Sequence, residues 1–425
     1  MPGVQPDPWA VAPFVGLLAA IALAPLFFAE WWSRHFAKLA LGLGALTTLY
    51  YVSALDAHDR VLHTAREYLG FISLVGSLYV VSGGIHIRVR GEATPAVNAL
   101  FLVTGALLAN VLGTTGASML LIRPWLRMNR YRLTAHHVVF FIFLVSNVGG
   151  SLTPVGDPPL FLGYLRGVPF LWVIEHCLPI WCFGVGTLLA MFFVADWLNF
   201  RRAPRAVRES QTSREEWHFQ GLGNLAFLAV ILGAVFVERP PLLREVLMLS
   251  AAAGSWFTTP ETVHQANAFD FHPIREVAIL FAGIFATMLP ALDWLQANAA
   301  QLGPPTPVLF YWASGALSSV LDNAPTYLSF LSAAQGALHG PTGEPSQVAG
   351  LLADPLGTRC LVALSIGSVF FGANTYIGNG PNFMVKAIAD RSGARTPGFL
   401  GYVFRFTLPF MLPMLTGAWL LYFRA

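Results

Sequence analysis

The chain has 425 residues, of which 55% are hydrophobic and only 11% are charged, and its mean hydropathy is +0.60. Globular chains carry about 25% charged residues, so this composition excludes an ordinary water-soluble domain and indicates a polytopic helical protein in a lipid bilayer. The net charge of +3 reflects arginines between apolar stretches, so we expect no nucleic-acid partner. Three cysteines without metal-ligand spacing, and no motif of an ATPase, zinc peptidase or serine hydrolase, predict a protein that is not an enzyme and has no cofactor.

Apolar stretches of about 20 residues, the length that crosses a bilayer, predict five spans in the first half of the chain. We place them at about 10–32, 37–55, 67–86, 136–165 and 170–196. A further apolar stretch at 97–122 carries Asn110-Val-Leu-Gly-Thr-Thr-Gly116 at its centre, which predicts the tip of a re-entrant hairpin.

Span 4 is interrupted by Asn147-Val-Gly-Gly-Ser-Leu-Thr-Pro-Val-Gly-Asp-Pro-Pro159. Proline removes a backbone donor and clashes with the preceding turn, and glycine costs about 1 kcal/mol in a helix interior, so we expect the helix to unwind here. Unwound backbone at membrane depth is tolerated only where it is buried in protein or lines a cavity. The interruption therefore predicts half of a transport site.

The second half follows a polar, basic segment at 197–220, which we predict to be a cytoplasmic linker. Five more spans are expected at about 221–237, 241–257, 274–296, 358–389 and 399–423. A second hairpin is predicted at 305–334, with Val320-Leu-Asp-Asn-Ala-Pro-Thr326 at its tip, and the span at 358–389 is broken at Gly372–Asn382.

The two halves, 1–196 and 221–425, resemble each other in order and in sequence. Five positions of the two breaks coincide without a gap: Gly150 and Gly372, Thr153 and Thr375, Gly156 and Gly378, Pro159 and Pro381, Phe161 and Phe383. Paired interrupted segments of this kind mark transporter binding sites. Five full crossings per half, an odd number, predict two inverted repeats with both termini outside the cell.

Loop charges agree with this orientation. Of the 25 Lys and Arg residues, sixteen then fall in cytoplasmic loops and seven outside, and the other two, Lys386 and Arg405, lie within spans. The loop 123–135 after the first hairpin has four arginines, whereas the matching loop 335–357 has no Lys or Arg, as opposite sides of the membrane require.

The tips and breaks carry hard oxygen donors that suit Na⁺, together with two carboxylates. The candidate binding residues are Thr114, Thr115, Asn147, Thr153, Gly156, Asp157, Asp322, Asn323, Thr326, Asn374, Thr375, Asn379 and Asn382. A carboxylate in hydrocarbon costs roughly 2.5–3.5 kcal/mol, so Asp157 and Asp322 are the strongest candidates, with Na⁺ as the metal ion they would bind. Because burial favours the protonated acid and a bound cation favours the ionised one, such a residue can exchange H⁺ for Na⁺.

More ordinary interpretations exist for the ionisable residues. Asp157 precedes Pro-Pro, a favourable first helical turn, and Asp322 precedes another helix start, so each can be an N-cap, with or without binding a cation. Glu67, at the start of a span, is expected to be an interfacial cap, and His136-His137 an interfacial pair rather than a proton relay.

These motifs resemble the ion transporter superfamily, which includes NhaD-like sodium/proton antiporters, citrate-transporter-like (CitMHS) proteins, divalent-anion/sodium symporters and arsenite permeases. Ser146–Pro159 is similar to the Asn-x-Gly-Gly-x-x-Thr-x-x-Gly-Asp-Pro-Pro pattern of the NhaD-like branch, and Leu321–Thr326 to its acidic hairpin tip. The resemblance implies a scaffold, a moving transport domain built of the hairpins and broken helices, an elevator-type motion and a homodimer. Unlike many antiporter relatives, the first tip lacks an acid, and neither tip has the Ser-Asn-Thr motif of the dicarboxylate symporters.

We therefore predict a secondary transporter in the inner membrane of a bacterium, with a Na⁺/H⁺ antiporter as the favoured function. A Na⁺- or H⁺-coupled carrier of citrate or another small organic anion is the alternative, and a passive channel is a third. Antiport would require Asp322 to titrate, whereas symport would use it as a Na⁺ ligand.

Overall fold

The computed structural model describes residues 5–88, 93–202, 218–237, 239–298, 301, 304–339 and 346–424, and it is an all-α polytopic membrane protein. Seven helical segments within these ranges are long and apolar enough to cross a membrane. They are Pro8–Pro25, Ala29–Ser53, Pro95–Met128, Trp172–Arg202, His272–Asn298, Pro355–Asn374 and Phe399–Phe423.

The chain begins with a short turn and three long helices: α1 (Ala12–Phe27), α2 (Ala29–Ser53) and α3 (His58–Gly83). The predicted boundary between the first two spans, at residues 33–36, is wrong, because α1 ends at Phe27 and α2 runs through this stretch. Pro25 lies just before the observed break, whereas residues 29–41 contain neither proline nor glycine to interrupt a helix.

The first hairpin, α4 (Pro95–Met128), reverses at Gly113, whose backbone (φ 74°, ψ 155°) lies in a region that favours glycine. Its two arms lie side by side along their length. The amide of Asn98 donates to Asn129 Oδ1 at 2.8 Å, and the rings of Phe101 and Trp125 stack with centroids 5.4 Å apart. Both ends of α4 therefore lie at the same end of the molecule, as in a re-entrant element.

The interrupted span consists of α5 (Ala135–Leu144) and α6 (Pro158–Leu165), joined by a segment with one 3₁₀ turn at Val148–Gly150. Every residue of α5 from His137 to Leu144 is buried, so the unwound segment lies deep in the protein. The long helix α7 (Trp172–Arg202) follows and extends six residues into the segment predicted to be a linker.

A small antiparallel sheet, which the sequence did not predict, joins the two halves. Strand β1 (His86–Arg88) pairs with β2 (His218–Gln220), so the last three residues of the predicted linker are also structured. The remainder of that linker, 203–217, lies outside the described residues and includes Arg205, Arg208 and Arg214. Residues 89–92, which include Arg90, also lie outside them.

The second half begins with four helices on the way to the second hairpin. They are α8 (Asn224–Ala234), α9 (Leu243–Thr258), the short α10 (Glu261–Ala266), which was not predicted, and α11 (His272–Asn298).

The second hairpin and the second broken helix complete the chain. The arms α12 (Pro307–Ser318) and α13 (Asn323–His339) pack together, with the rings of Phe310 and Phe330 5.7 Å apart. The remaining helices are α14 (Ser346–Ala353), which was not predicted, α15 (Pro355–Phe371), α16 (Gly380–Arg391) and α17 (Phe399–Phe423), which includes π-helical turns.

Helices α2, α3 and α11 form one tightly packed body. A Cβ on Gly283 would lie 2.6 Å from the Ala40 carbonyl oxygen, so α2 and α11 approach closely. Asp293 of α11 accepts hydrogen bonds from Tyr51 Oη at 2.8 Å and from Arg60 Nη2 at 2.7 Å, which adds α3 to the same body. This body borders the hairpins and the broken helices.

Candidate functional site

The tip of the first hairpin is fastened to the first broken helix by backbone contacts. Thr153 Oγ1 donates to the carbonyl of Asn110 at 2.6 Å and accepts from the Gly156 amide at 3.0 Å. The Thr114 amide donates to the Gly156 carbonyl at 2.7 Å. The Asn110 side chain, which sequence reasoning did not select, donates to the Gly149 carbonyl at 2.6 Å. The unwound segment therefore finds its backbone partners on the hairpin tip.

The second half repeats this arrangement. Thr375 Oγ1 donates to the carbonyl of Ser319 at 2.6 Å and accepts from the Gly378 amide at 3.1 Å. The amide group of Asn374 donates to Ser319 Oγ at 2.9 Å, and its Oδ1 is buried with no hydrogen-bond partner among the described residues. Thr153 and Thr375, two of the predicted site residues, thus anchor the tips and do not face the centre.

Paired glycines allow each break to fold on itself. A Cβ on Gly156 would lie 2.1 Å from the Gly150 carbonyl oxygen, and a Cβ on Gly378 would lie 2.6 Å from the corresponding oxygen of Gly372. Real Cβ atoms do not come this close to backbone, so these glycines are required by close approach of two chain segments.

Asp157 lies at the point where both hairpins and both breaks meet. Its side chain is 1% exposed. Oδ1 accepts from Thr114 Oγ1 at 2.6 Å and from Asn379 Nδ2 at 3.2 Å, and Oδ2 accepts from Asn323 Nδ2 at 2.5 Å. Although Asp157 precedes α6, its side chain makes no capping hydrogen bond to that helix. The capping interpretation is therefore wrong for this side chain, which instead joins the two halves.

A chain of amides extends from Asp157 across the interface between the halves. Asn379 Nδ2 lies 3.2 Å from three acceptors: Asp157 Oδ1, Asn147 Oδ1 and the Ser146 carbonyl. Asn147 Nδ2 donates to Asn382 Oδ1 at 2.7 Å, and the Asn382 amide donates in turn to carbonyls of its own break. These predicted site residues hold the two unwound segments in register, because each amide bridges groups from different elements.

Asp322 and Asn323 differ in their surroundings. Asp322 is half-buried at the N-terminus of α13, and its Oδ1 accepts from the Ala324 amide at 3.1 Å, so here the capping interpretation agrees with the geometry. Thr326 Oγ1 donates to the Asp322 carbonyl at 3.0 Å and does not contact Asp157. Asp322 directly precedes Asn323, whose amide donates to Asp157, so the two aspartates lie near each other.

The Asn323 side chain has a buried oxygen, Oδ1, without a hydrogen-bond partner among the described residues. Its Nδ2 donates to Asp157, and this fixes the amide so that Oδ1 points elsewhere. Oδ1 is buried and has no hydrogen-bond partner among the described residues. An unpaired buried carbonyl oxygen next to a buried carboxylate is chemically suited to a hard cation.

Two small neighbouring clefts lie between α3 and these residues, and each has room for about one or two water-sized groups. The first is lined by Asp157 and Thr114, the second by Asp322 and Asn379, and the half-buried Thr115 lines both. The second cleft also reaches α11 and α16. Its lining from those helices and from α3 includes Phe71, Val75, Tyr79, Pro273, Ile274, Val277, Phe281, Pro381 and Met384.

Sequence reasoning missed a buried ionic cluster at the base of the first hairpin. Asp196 accepts from both Arg132 guanidinium nitrogens, and His136 Nε2 and His137 Nε2 lie 3.3 and 3.0 Å from its Oδ1. The Thr134 amide donates to His137 Nδ1 at 3.3 Å, which places the proton of a neutral His137 on Nε2. Arg132 already donates two hydrogen bonds to the same carboxylate, which favours an ion pair over a metal site. Both histidines therefore belong to this cluster, which only their three-dimensional proximity to Asp196 reveals.

Glu67, expected to be an interfacial cap, is instead part of a buried ion pair. Its carboxylate accepts two hydrogen bonds from Arg166, one of them from Nη2 at 2.9 Å, and its side chain is 7% exposed. The partners are 99 residues apart in sequence, so no local pattern could have paired them.

Comparison with known proteins agrees with this architecture. Residues 5–423 match the CitMHS_2 family, which is described as "Putative citrate transport". The chain is 25% identical to the uncharacterized transporter Rv2685 of Mycobacterium tuberculosis and 26% identical to a 46 kDa membrane protein of Mycobacterium leprae, covering 72% of both chains in each pair. It is also 25% identical to the inner membrane protein YbiR of Escherichia coli, over 57% of this chain and 63% of that protein.

The family match covers nearly the whole chain, including both hairpins and both broken helices. Two interrupted helices in corresponding positions that meet at one buried site are typical of secondary transporters. This chain belongs to the CitMHS_2 family and is an integral membrane transporter.

Proposed function

We propose that this transporter is a cation/proton antiporter, with Na⁺ as the preferred cation, and that Asp157 is the residue that exchanges them. The observation that carries the proposal is the environment of the Asp157 carboxylate. It is buried, and all three of its hydrogen-bond donors, Thr114, Asn323 and Asn379, are neutral. A buried carboxylate without a basic partner is costly unless it takes up a proton or a metal ion.

The exchange follows from competition for one negative charge. When Asp157 is protonated, the site is neutral and the hydrogen bonds donated to the carboxylate weaken. When a cation enters, the proton leaves, and the three donors stabilise the ionised form. Asn323 Oδ1 and the Asp322 carboxylate supply further oxygen ligands beside Asp157. Asn323 contacts Asp157 directly, and Asp322 is the residue before Asn323.

Helix N-termini reinforce the ionised form. The helices α6, α13 and α16 begin directly after Asp157, Asp322 and Asn379, and their positive ends converge on the site. Each helix end is worth about 0.3–1 kcal/mol to a nearby negative charge. This potential lets Asp157 ionise in a buried place without a salt bridge.

The clefts suggest which side the site faces. Residues predicted to be external, such as Arg166 and Arg244, lie beside the middle of α3, where a Cβ on Gly70 would be 3.1 Å from Arg244 Nη2. The cleft lies further along α3, toward Tyr79 and the predicted cytoplasmic loops. With both termini external, as the loop charges favour, this position of the cleft supports a state open toward the cytoplasm.

The test is transport in proteoliposomes with an internal pH dye and an imposed proton gradient. Addition of Na⁺ or Li⁺ should collapse the gradient, and Asp157→Asn should abolish this response. Asp390→Asn, an exposed aspartate paired with Lys386 near the end of α16, is the matched control and should retain it. Wild-type protein that moves no protons in response to Na⁺, Li⁺ or K⁺ would refute the antiport proposal.

A coupled carrier of citrate or a similar anion is the second candidate, and one feature favours it. Arg127 and Arg391 lie near Arg123, which is also near Tyr79 in the lining of the larger cleft. A cationic mouth of this kind concentrates anions. Uptake of labelled citrate that requires a Na⁺ or H⁺ gradient, and that Arg123→Gln weakens, would support this function over antiport.

A further inference from the structure

The contact between α3 and the two broken helices is uneven along α3. At one end Glu67 and Arg166 form a two-fold hydrogen-bonded ion pair, and Leu165 packs within 3.7 Å of the Cβ position of Gly70. Further along α3, from Phe71 to Tyr79, the larger cleft lies between α3, the start of α11 and α16 of the second broken helix. Glu67 and Tyr79 are 12 positions apart, roughly 18 Å along a helix.

From this asymmetry, and resting on the transport function proposed above, we infer that the Glu67–Arg166 pair is a latch that holds the site closed on the Glu67 side and open on the Tyr79 side. Arg166 directly follows α6, and Asp157 directly precedes it, so the latch connects to the binding carboxylate through one eight-residue helix. Any motion that opens the site toward the Glu67 side must separate these two side chains.

The pair is strong enough to bias two conformations. The side chains of Glu67 and Arg166 are only 7% and 13% exposed, and the planar guanidinium meets both carboxylate oxygens. His63 Nδ1 lies 3.7 Å from the same carboxylate, and the neighbouring Glu245 already pairs with Arg244. An exposed pair contributes little and a fully buried one much more, and this pair lies between these limits. Its loss should shift the equilibrium about tenfold.

Other contacts at the same end assist the latch. Tyr164 Oη donates to the Val235 carbonyl at 2.9 Å, and the rings of Phe170 and Phe236 lie 4.8 Å apart. These contacts join the end of α6 to α8 beside the ion pair. These contacts are uncharged. A substitution that neutralises Glu67 or Arg166 therefore removes the ion pair and leaves them in place.

The experiment measures accessibility of a cysteine in the cleft, Met384→Cys, to a membrane-impermeant maleimide. Cys182 is exposed and is replaced by serine, whereas Cys177 and Cys360 are buried and remain. Labelling is compared in intact cells and in inside-out vesicles. The parent should react from the Tyr79 side, and Glu67→Gln or Arg166→Gln should slow this reaction about tenfold and raise labelling from the opposite side. The charge-reversed pair Glu67→Arg/Arg166→Glu should restore the parent rate.

The matched control is Asp293→Asn. Asp293 pairs with Arg60 of the same helix α3, but both partners lie within the body formed by α2, α3 and α11, so this pair does not span the two moving parts. The double variant Glu67→Gln/Arg166→Gln leaves no unpaired buried charge and serves if the single variants fold poorly. Folded Glu67–Arg166 variants that label at the parent rate would overturn the latch, as would an equal slowing by Asp293→Asn. Absence of Na⁺-driven proton movement would refute antiport but leave the labelling result intact.

Discussion

Replacement of Asn323 by alanine tests whether this amide serves the transported cation. The substitution removes the 2.5 Å hydrogen bond to Asp157 Oδ2 and also removes the unpartnered Oδ1. A hydrogen bond to a charged group contributes about 1.5–3 kcal/mol. Because the bond stabilises the ionised Asp157 that binds the cation, its loss favours the proton over the cation. A factor of ten corresponds to 1.4 kcal/mol, so the KM for Na⁺ should rise about 10- to 100-fold.

The assay is Na⁺-dependent dissipation of a proton gradient in proteoliposomes over a range of Na⁺ concentrations. Asn98→Ala is the matched control, because Asn98 is equally buried and its Nδ2 also donates to a buried aspartate, Asp196 Oδ2, at 2.9 Å. Both variants should lower the thermal unfolding midpoint, but only Asn323→Ala should change the KM. Equal changes in KM, or an unchanged KM in folded Asn323→Ala, would show that the interaction is purely structural.

Two further predictions concern stability and are measured by thermal unfolding of purified protein in detergent. Gly156→Ala should lower the unfolding free energy by at least about 1–3 kcal/mol, because its Cβ would lie 2.1 Å from the Gly150 carbonyl oxygen. The control Gly380→Ala, whose Cβ would have no atom within 4 Å, should be neutral or stabilising. Equal unfolding midpoints of the two variants would contradict the close approach at Gly156. Asp196→Leu should destabilise the folded protein by about 3–5 kcal/mol, because it leaves Arg132 buried and unpaired. Adding Arg132→Met should recover much of this loss. A double variant that is no more stable than Asp196→Leu alone would argue against the ion pair.

Local sequence patterns determined much of the architecture. The apolar stretches and the Gly-, Pro- and Asn-rich interruptions predicted the helices, the hairpin tips and the breaks, because helix propensity and membrane span length act over a few consecutive residues. Where the patterns were misleading, the cause was also local: residues 29–41 are partly polar but contain no helix breaker, and α10 and α14 are too short to carry a span signal. Repetition of the break motif also identified Asp157 and Asn379 as corresponding positions.

Only the tertiary structure decided what the candidate side chains do. Asp157 could have been a helix cap, and its contacts with Thr114, Asn323 and Asn379 show that it is not. The sequence could not reveal this, because its partners are 43, 166 and 222 residues away and their orientation depends on how the halves pack.

The same reason explains the ion pairs. Glu67 with Arg166, and Asp196 with Arg132, combine residues whose local surroundings resemble ordinary helix ends. The composition alone established a membrane protein. The hydrocarbon core favours apolar side chains, and every segment that crosses it must pair its own backbone hydrogen-bonding groups. The position of each buried charge depends on the packing of distant segments, because a charge in a membrane is stable only where the fold brings it a partner.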